Sequence, residues 1–193
     1  MTSRGRNREK PKPTCWVTLS QTVLLDRPPF VRAVQELVRT DQGRIVEDYY
    51  RVILPRFSIC VALTATNNVI TLWQYKHGPK RYSLAFPAGI VPDGEAPIAT
   101  CRRELLEETG YSASELVELG TFVDSGNQEG STGHYFVATG CKPQQAADSG
   151  DLETMNLRLM SWDEIDAAFR AGDIIITHHV AAWLLARRVL LGD

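Results

Sequence analysis

The stretch Gly89-Ile-Val-Pro-Asp-Gly-Glu95-Ala-Pro-Ile-Ala-Thr-Cys-Arg-Arg103-Glu104-Leu-Leu-Glu107-Glu108-Thr-Gly110-Tyr111 places four carboxylates, Glu95, Glu104, Glu107 and Glu108, within fourteen residues. A helical residue advances by about 100°, so Glu104, Glu107 and Glu108 fall on one face. Three negative charges at i, i+3 and i+4 repel one another unless a cation compensates them. Hard divalent ions such as Mg²⁺ or Mn²⁺ prefer such oxygen ligands. The run therefore reads as a metal site for phosphate chemistry. A solvated Glu-rich helix laced by ion pairs has the same composition. It does not, however, require a glycine at each end of the run, nor a separate loop carrying Glu95. A glycine-containing loop lets backbone oxygen and phosphate approach closely.

Around this core the chain reads as mixed α+β. Cys60 lies in the apolar strand Phe57 to Thr64, which is followed by a turn at Asn67-Asn68, a strand from Val69 to Tyr75 and a short strand from Tyr82 to Phe86. Pro87-Ala88-Gly89 ends that strand, and a loop to Gly94 leads into the acidic helix. Pro97 stands in the helix's first turn, where a missing N–H costs little, and Gly110 fits the left-handed residue just past its end. Glu118 to Asp124 and His134 to Thr139 read as strands around a mobile Gly/Ser loop, Ser125 to Gly133. Leu157 to Met160 is a short strand, and helices follow from Trp162 to about Ala171 and from Thr177 to Leu191. Upstream, Cys15 to Leu25, Phe30 to Arg39 and Arg44 to Leu54 suggest an N-terminal antiparallel extension, with a hairpin turn at Asp41-Gln42-Gly43. Phe30 to Arg39 is also compatible with a helix by its periodicity. The expected division is a basic disordered tail over residues 1–13, a strand extension over 14–54 and the main domain over 55–193.

With 193 residues and 44% hydrophobic content, the chain has the proportions of one globular domain with a small addition. Its net charge of −2 gives no general attraction to nucleic acid or acidic membranes. Arg4, Arg6, Arg8, Lys10 and Lys12 make the tail basic, and it reads as a solvated leader without the apolar stretch of a secretory signal. No apolar run approaches the ~18 residues of a membrane helix. Cys15, Cys60, Cys101 and Cys141 form no CxxC pair, Cys60 and Cys101 read as core thiols, and a reducing cytoplasm is the expected setting.

The pattern Gly89-x5-Glu95-x7-Arg103-Glu104-Leu105-x-Glu107-Glu108-x-Gly110-Tyr111 resembles the Nudix box of Nudix hydrolases, with Tyr111 where an aliphatic residue is more usual. The resemblance implies the Nudix fold, a mixed sheet sandwiched between helices. It implies hydrolysis of a nucleoside diphosphate linked to another group. It also implies that Glu104, Glu107 and Glu108 hold Mg²⁺ or Mn²⁺, that the Ala88 carbonyl adds a ligand, and that Arg103 orients Glu95. Glu107 or Glu108 would also position the attacking water.

The layout outside the box resembles the ADP-ribose pyrophosphatase branch, whose members are typically homodimers with N-terminal sheets in the interface. The carriers of that likeness are Tyr50-Arg51-Val52, Leu72-Trp73-Gln74-Tyr75-Lys76, Leu84-Ala85-Phe86-Pro87-Ala88-Gly89 and Trp162-Asp-Glu-Ile. Lys76 replaces the usual Arg, Ala85 the usual Glu, and Ser125-Gly126-Asn127 lacks the branch's proline. The implied substrate is ADP-ribose or a related nucleotide sugar, with NADH or a dinucleoside polyphosphate as alternatives and a non-catalytic sensing module as a third reading. Lys76, Arg51 and Arg81 are candidate phosphate contacts, and Gly89 a close-approach point for substrate. Glu153 is a candidate base, with Asp151 beside it; a solvated acidic loop accounts for both equally well. Trp73 and Tyr75 suit base stacking or core packing, and His178-His179 suits helix packing better than ligation.

Overall fold

The computed structural model describes residues 15–150 and 154–192. The chain divides into two units, Met1–Val52 and Ile53–Asp193. In the first unit β1 (Val17–Arg27) pairs antiparallel with β2 (Val31–Arg39), and β3 (Ile45–Ile53) adjoins β2. Val34, Glu36 and Val38 are buried on alternate positions of β2. That period of two belongs to a strand, and it decides Phe30–Arg39 against a helix. The turn after β2 closes with Thr40 N–H donating to the Arg44 carbonyl at 2.9 Å and Gly43 N–H donating to the Thr40 carbonyl at 3.0 Å. Glu36 is a buried charge among apolar neighbours, which is tolerable only when its oxygens are bonded. It accepts from Arg51 at 2.8 Å, Gln21 at 2.9 Å and Thr18 at 3.2 Å. Burial pushes its carboxyl up, but the Arg51 and Gln21 bonds outweigh burial and leave its pKa lowered.

The second unit contains β4 (Phe57–Thr64), β5 (Val69–Lys76), β6 (Arg81–Ala85), β7 (Ala88–Ile90), α1 (Pro97–Thr109), β8 (Tyr111–Ser112), β9 (Glu115–Ser125), β10 (Glu129–Pro143), β11 (Met155–Met160), α2 (Trp162–Ala171) and α3 (Thr177–Leu191). Its strands run in the order β10-β4-β5-β11, with β6 on β5, β7 on β4, and β8 and β9 on β10. β10 and β4 are parallel, and β5 lies antiparallel to β4. Strands covered on both faces read as continuous apolar runs. β4 obeys this, with Ser58 to Leu63 all buried. Ile59, Val61 and Leu63 join Tyr135, Val137, Ile165 and Trp183 in the core beneath α2 and α3. Cys60 and Ala62 join Phe136, Ala138, Cys101 and Leu105 beneath α1. The result is the expected mixed sheet between helices.

Local chemistry sets the helix ends. Pro97 opens α1, and Gly110 closes it at φ 76° with its N–H on the Leu106 carbonyl at 2.8 Å. A side chain at Gly110 would also meet the Gln145 carbonyl at 2.2 Å. Ser161 and Glu164 cap α2 reciprocally.

Two expectations are corrected. Ser125–Gly133 is not a long mobile loop: β9 continues to Ser125 and β10 begins at Glu129, with Gln128 N–H bonded to Ser125 Oγ at 3.1 Å across a tight turn. The Gly and Ser content suggested a loop, but strand pairing from Glu129 opposite Ser125 prevails. Ala88–Ile90 is likewise not only a turn. It forms β7, which pairs with Phe57–Ile59 of β4.

Candidate active site

α1 displays the acidic face that its spacing predicts, and Arg103 gathers it. The guanidinium Nη1 lies 2.8 Å from both Glu104 and Glu107, and Nε lies 3.6 Å from Glu95. Burial alone would ease the proton off Arg103, but the Glu107 and Glu104 carboxylates outweigh it and raise the pKa. The expected Arg103–Glu95 pairing is thus one edge of a larger ionic cluster.

The other side of the face is tied to β7. Glu108 is only 7% exposed, and its Oε2 accepts the Ala88 N–H at 2.9 Å. Glu104 presses against Gly89, where an added Cβ would lie 2.0 Å from its Cδ and Oε1. Glycine is required here by close approach. Two of the three glutamates therefore flank one dipeptide, Ala88–Gly89, which pairing with Ser58 and Ile59 holds in place.

Among the described residues, no group of three or more His, Cys, Asp or Glu side chains is drawn together around one point as a ready metal site. The donor set nevertheless fits a hard divalent cation. It consists of carboxylate oxygens beside a backbone carbonyl, with no thiolate or imidazole among them. Glu104, Glu107 and Glu108 would hold the ion, with Glu104 and Glu107 turning from Arg103 toward the Ala88 carbonyl.

The remaining candidates lie elsewhere. Lys76 and Arg81 face each other across β5 and β6, and Arg81 donates to the Gly172 carbonyl at 3.3 Å. Arg51 belongs to the first unit and pairs there with Glu36. Glu153 and Asp151 fall outside the described residues. Trp73 is packed against the core, stacks on Tyr82 at 5.9 Å and carries the Arg158 guanidinium 4.8 Å from its ring centre. His179 is buried, and its Nδ1 accepts the Phe86 N–H at 3.1 Å. Burial drives its imidazole well below the ordinary value. This histidine serves packing.

One residue that the sequence did not single out reaches the same face of the sheet. His134 on β10 pairs with Ser58 on β4, which pairs with Gly89 on β7. Those pairings join segments far apart in the chain, and no local spacing signals them.

The chain is similar to several known proteins. The chain is 32% identical over 105 residues to the methanol dehydrogenase activator of Bacillus methanolicus, covering 54% of this chain and 57% of that protein. It is 35% identical over 78 residues to the ADP-ribose pyrophosphatase of Bacillus subtilis strain 168, covering 40% and 42%. The chain thus spans about half the length of these relatives. A solved structure described as an ADP compounds hydrolase superposes with a TM-score of 0.79 at 20% identity, covering 92% of this chain and 95% of that one, and so shares the fold. The NUDIX domain model matches residues 54–180, the span that holds the acidic helix, its glycines and the sheet beneath, and the chain belongs to that family.

Proposed function

We propose that this chain is a divalent-metal-dependent pyrophosphohydrolase that splits the diphosphate of ADP-ribose or a related nucleotide sugar into a nucleoside monophosphate and a sugar phosphate. The carrying observation is the arrangement of Glu104 and Glu108 on either side of Ala88–Gly89, with Glu107 on the same helical face. Carboxylates and a diphosphate repel, so only a cation between them makes the complex favourable. Mg²⁺ or Mn²⁺ held there supplies that charge, polarises the phosphoryl oxygens and acidifies water beside them. The protein's own groups do the rest. Ala88 N–H fixes the Glu108 carboxylate in one orientation. Arg103 restrains Glu95, Glu104 and Glu107. Gly89, by lacking a side chain, makes room for the Glu104 carboxylate against the β7 backbone. Lys76 and Arg81 are the proposed counter-charges to phosphate, whereas Arg51 is engaged by Glu36 in the first unit, and Glu153 or a box glutamate is the proposed base.

The substrate class draws support from the Bacillus subtilis relative's name. The reading extends to a catalytic domain over residues 55–193 preceded by a strand extension, and to a homodimer. On the first unit Leu19, Val23, Leu24 and Leu25 of β1 are exposed, apolar surface that a partner copy would cover. It also extends to a cytoplasmic setting, with Cys60, Cys101 and Cys141 buried as thiols. No helix among the described residues is long and apolar enough to cross a membrane.

The test is a panel of ADP-ribose, GDP-mannose, NADH and diadenosine polyphosphates, with and without Mg²⁺. Metal-dependent release of AMP from ADP-ribose is the expected result. Preferred cleavage of NADH or a dinucleoside polyphosphate would reassign the substrate. Saturable binding of these compounds without turnover of any would make the chain a sensing module instead.

A further inference from the structure

One edge of the second unit carries a feature that the acidic helix does not use. β9 pairs with β10 along one side, and among the described residues no strand lies along its other side. An edge strand presents a row of N–H and C=O groups that can template another chain, so edges are commonly kept short or broken by Lys or Pro. β9 is 11 residues long, against about 5–6 for an ordinary strand, and contains neither Lys nor Pro. Its register on β10 is unbroken from Gly120 to Val123, so this part of the edge is regular backbone.

Beside that edge, β9 and α3 line an apolar groove of about 620 Å³, the size range of a ligand pocket. Phe122 forms one wall, and Ala181, Leu184, Leu185 and Arg188 form the other. Positions 181, 184, 185 and 188 follow the i, i+3, i+4, i+7 rule and make one stripe of the helix. The core takes a different stripe, His179, Ala182, Trp183 and Ala186, on the other side of α3. The groove stripe is thus apolar beyond what the core requires. Phe122 is 46% and Leu184 52% exposed, although both are large and apolar. Phe122 stands edge-on to the buried Tyr135 ring at 5.5 Å, which braces that wall against the core. At the rim Arg187 is neutralised by Asp166, whereas Arg188 has no acidic partner among the described residues. A free backbone edge, an apolar slot and one uncompensated positive charge therefore lie side by side.

We propose that the β9–α3 groove docks an extended peptide segment of another protein, which adds to β9 as a further strand, buries an apolar side chain between Phe122 and Leu184, and sets a carboxylate against Arg188. Each feature selects one property of the occupant. The strand edge selects an extended main chain, whose hydrogen bonds supply affinity. The slot selects an apolar side chain at an alternate position, and Arg188 selects an acidic one. A nucleic acid would meet apolar walls and too little positive charge to hold its phosphates. The groove lies on the α3 side of the sheet, whereas the box glutamates lie on α1 across the sheet, so this inference is independent of the diphosphate reading.

The probe is a set of fluorescein-labelled, C-terminally amidated peptides Thr-X-Thr-X-Thr-Glu, where X is Val, Leu or Phe. Alternation puts both X side chains and the Glu on one face of the extended chain. Titration of the 193-residue protein, followed by fluorescence anisotropy, should give saturable micromolar binding for some members. In the best binder, methylating one alternate set of backbone nitrogens should abolish binding, and methylating the other set should leave it nearly intact, because an added strand turns alternate N–H groups toward its neighbour. Arg188→Ala in the protein and Glu→Gln in the peptide should each weaken binding about fivefold, with almost no further loss when combined. Leu184→Glu should abolish binding; a urea melt checks that it is folded, and Arg188→Ala tests the groove without a change in the slot. The proposal is overturned if no member of the set binds saturably, or if both methylation patterns have the same effect. It is also overturned if sedimentation shows a wild-type dimer that Leu184→Glu dissociates, since a second copy then fills the groove.

Discussion

Replacing Gly89 with alanine isolates the contact on which the site geometry depends. The new Cβ would stand 2.0 Å from Glu104 Cδ and Oε1 and 2.6 Å from Cγ, where ordinary contact begins near 3.4 Å. The Glu104 carboxylate must therefore retreat by about 1.4 Å, a displacement of the size that costs a catalytic group roughly a hundredfold. The obstacle is the far end of a flexible side chain rather than backbone, and the Gly89 backbone has no left-handed φ to strain. Alanine also narrows the unfolded ensemble, a gain of about 0.4–1 kcal/mol that offsets part of the crowding. The expected outcome is a drop of about a hundredfold in kcat/KM for ADP-ribose, with stability changed by no more than about 1 kcal/mol in urea melts. A double-mutant cycle makes the reasoning refutable. With Glu104→Ala already present, the obstacle is gone, and Gly89→Ala should add almost nothing. A full hundredfold further loss in that background would show that Gly89 acts by some route other than Glu104.

Three further outcomes are expected. Glu107→Gln or Glu108→Gln should lower turnover by orders of magnitude with little change in unfolding midpoint, since an amide oxygen at position 108 can still accept the Ala88 N–H; near-normal turnover in either would remove it from the metal set. Lys76→Ala should raise KM more than it lowers kcat, and an unchanged KM would exclude Lys76 from phosphate contact. His179→Leu should cost about 1–3 kcal/mol by stranding the Phe86 N–H. It should also flatten the pH dependence of stability. The folded His179 pKa lies well below 6.5, so below that pH the unfolded chain binds the extra proton, and wild-type stability falls as pH drops from about 7 toward the folded value. Equal slopes of unfolding free energy between pH 7.5 and 5.5 in the two proteins would refute this.

The sequence was most legible where one local rule decides the outcome. Pro97 and Gly110 bracket α1 as predicted, because a missing N–H and a left-handed φ are properties of single residues. Apolar continuity placed β4 at Phe57–Thr64 because both its faces are covered. Legibility failed where pairing with a distant segment outweighs local composition. The Gly/Ser-rich stretch after Asp124 reads as a loop, yet β10 is drawn out to Glu129 by its register with β9. β7 is three residues whose strand character comes only from β4. The same limit governs the site. The acidic face of α1 follows from helical spacing, but the contacts of Glu104 with Gly89 and of Glu108 with Ala88 arise when two segments meet in space.

Arg103 explains why composition alone admitted two readings of α1. Its guanidinium compensates Glu104 and Glu107 much as an ion would, so this face is electrostatically tolerable without one. Exposed pairs of this kind contribute about 0–1 kcal/mol, and a surface helix that relied on them would need nothing more. This helix has more. It buries Glu108, at a desolvation cost that a solvated face never incurs. It also sets Glu104 where only glycine permits it. Neither feature improves an Arg103 ion pair, since Arg103 reaches Glu104 and Glu107 from the partly exposed side of the helix. Both bring carboxylate oxygen against the Ala88–Gly89 backbone, where a cation shared with a diphosphate would stand. On the proposed metal-dependent reading, Arg103 would be the internal counter-charge of a face that takes a different cation, and its partners are two of the glutamates proposed to hold that cation.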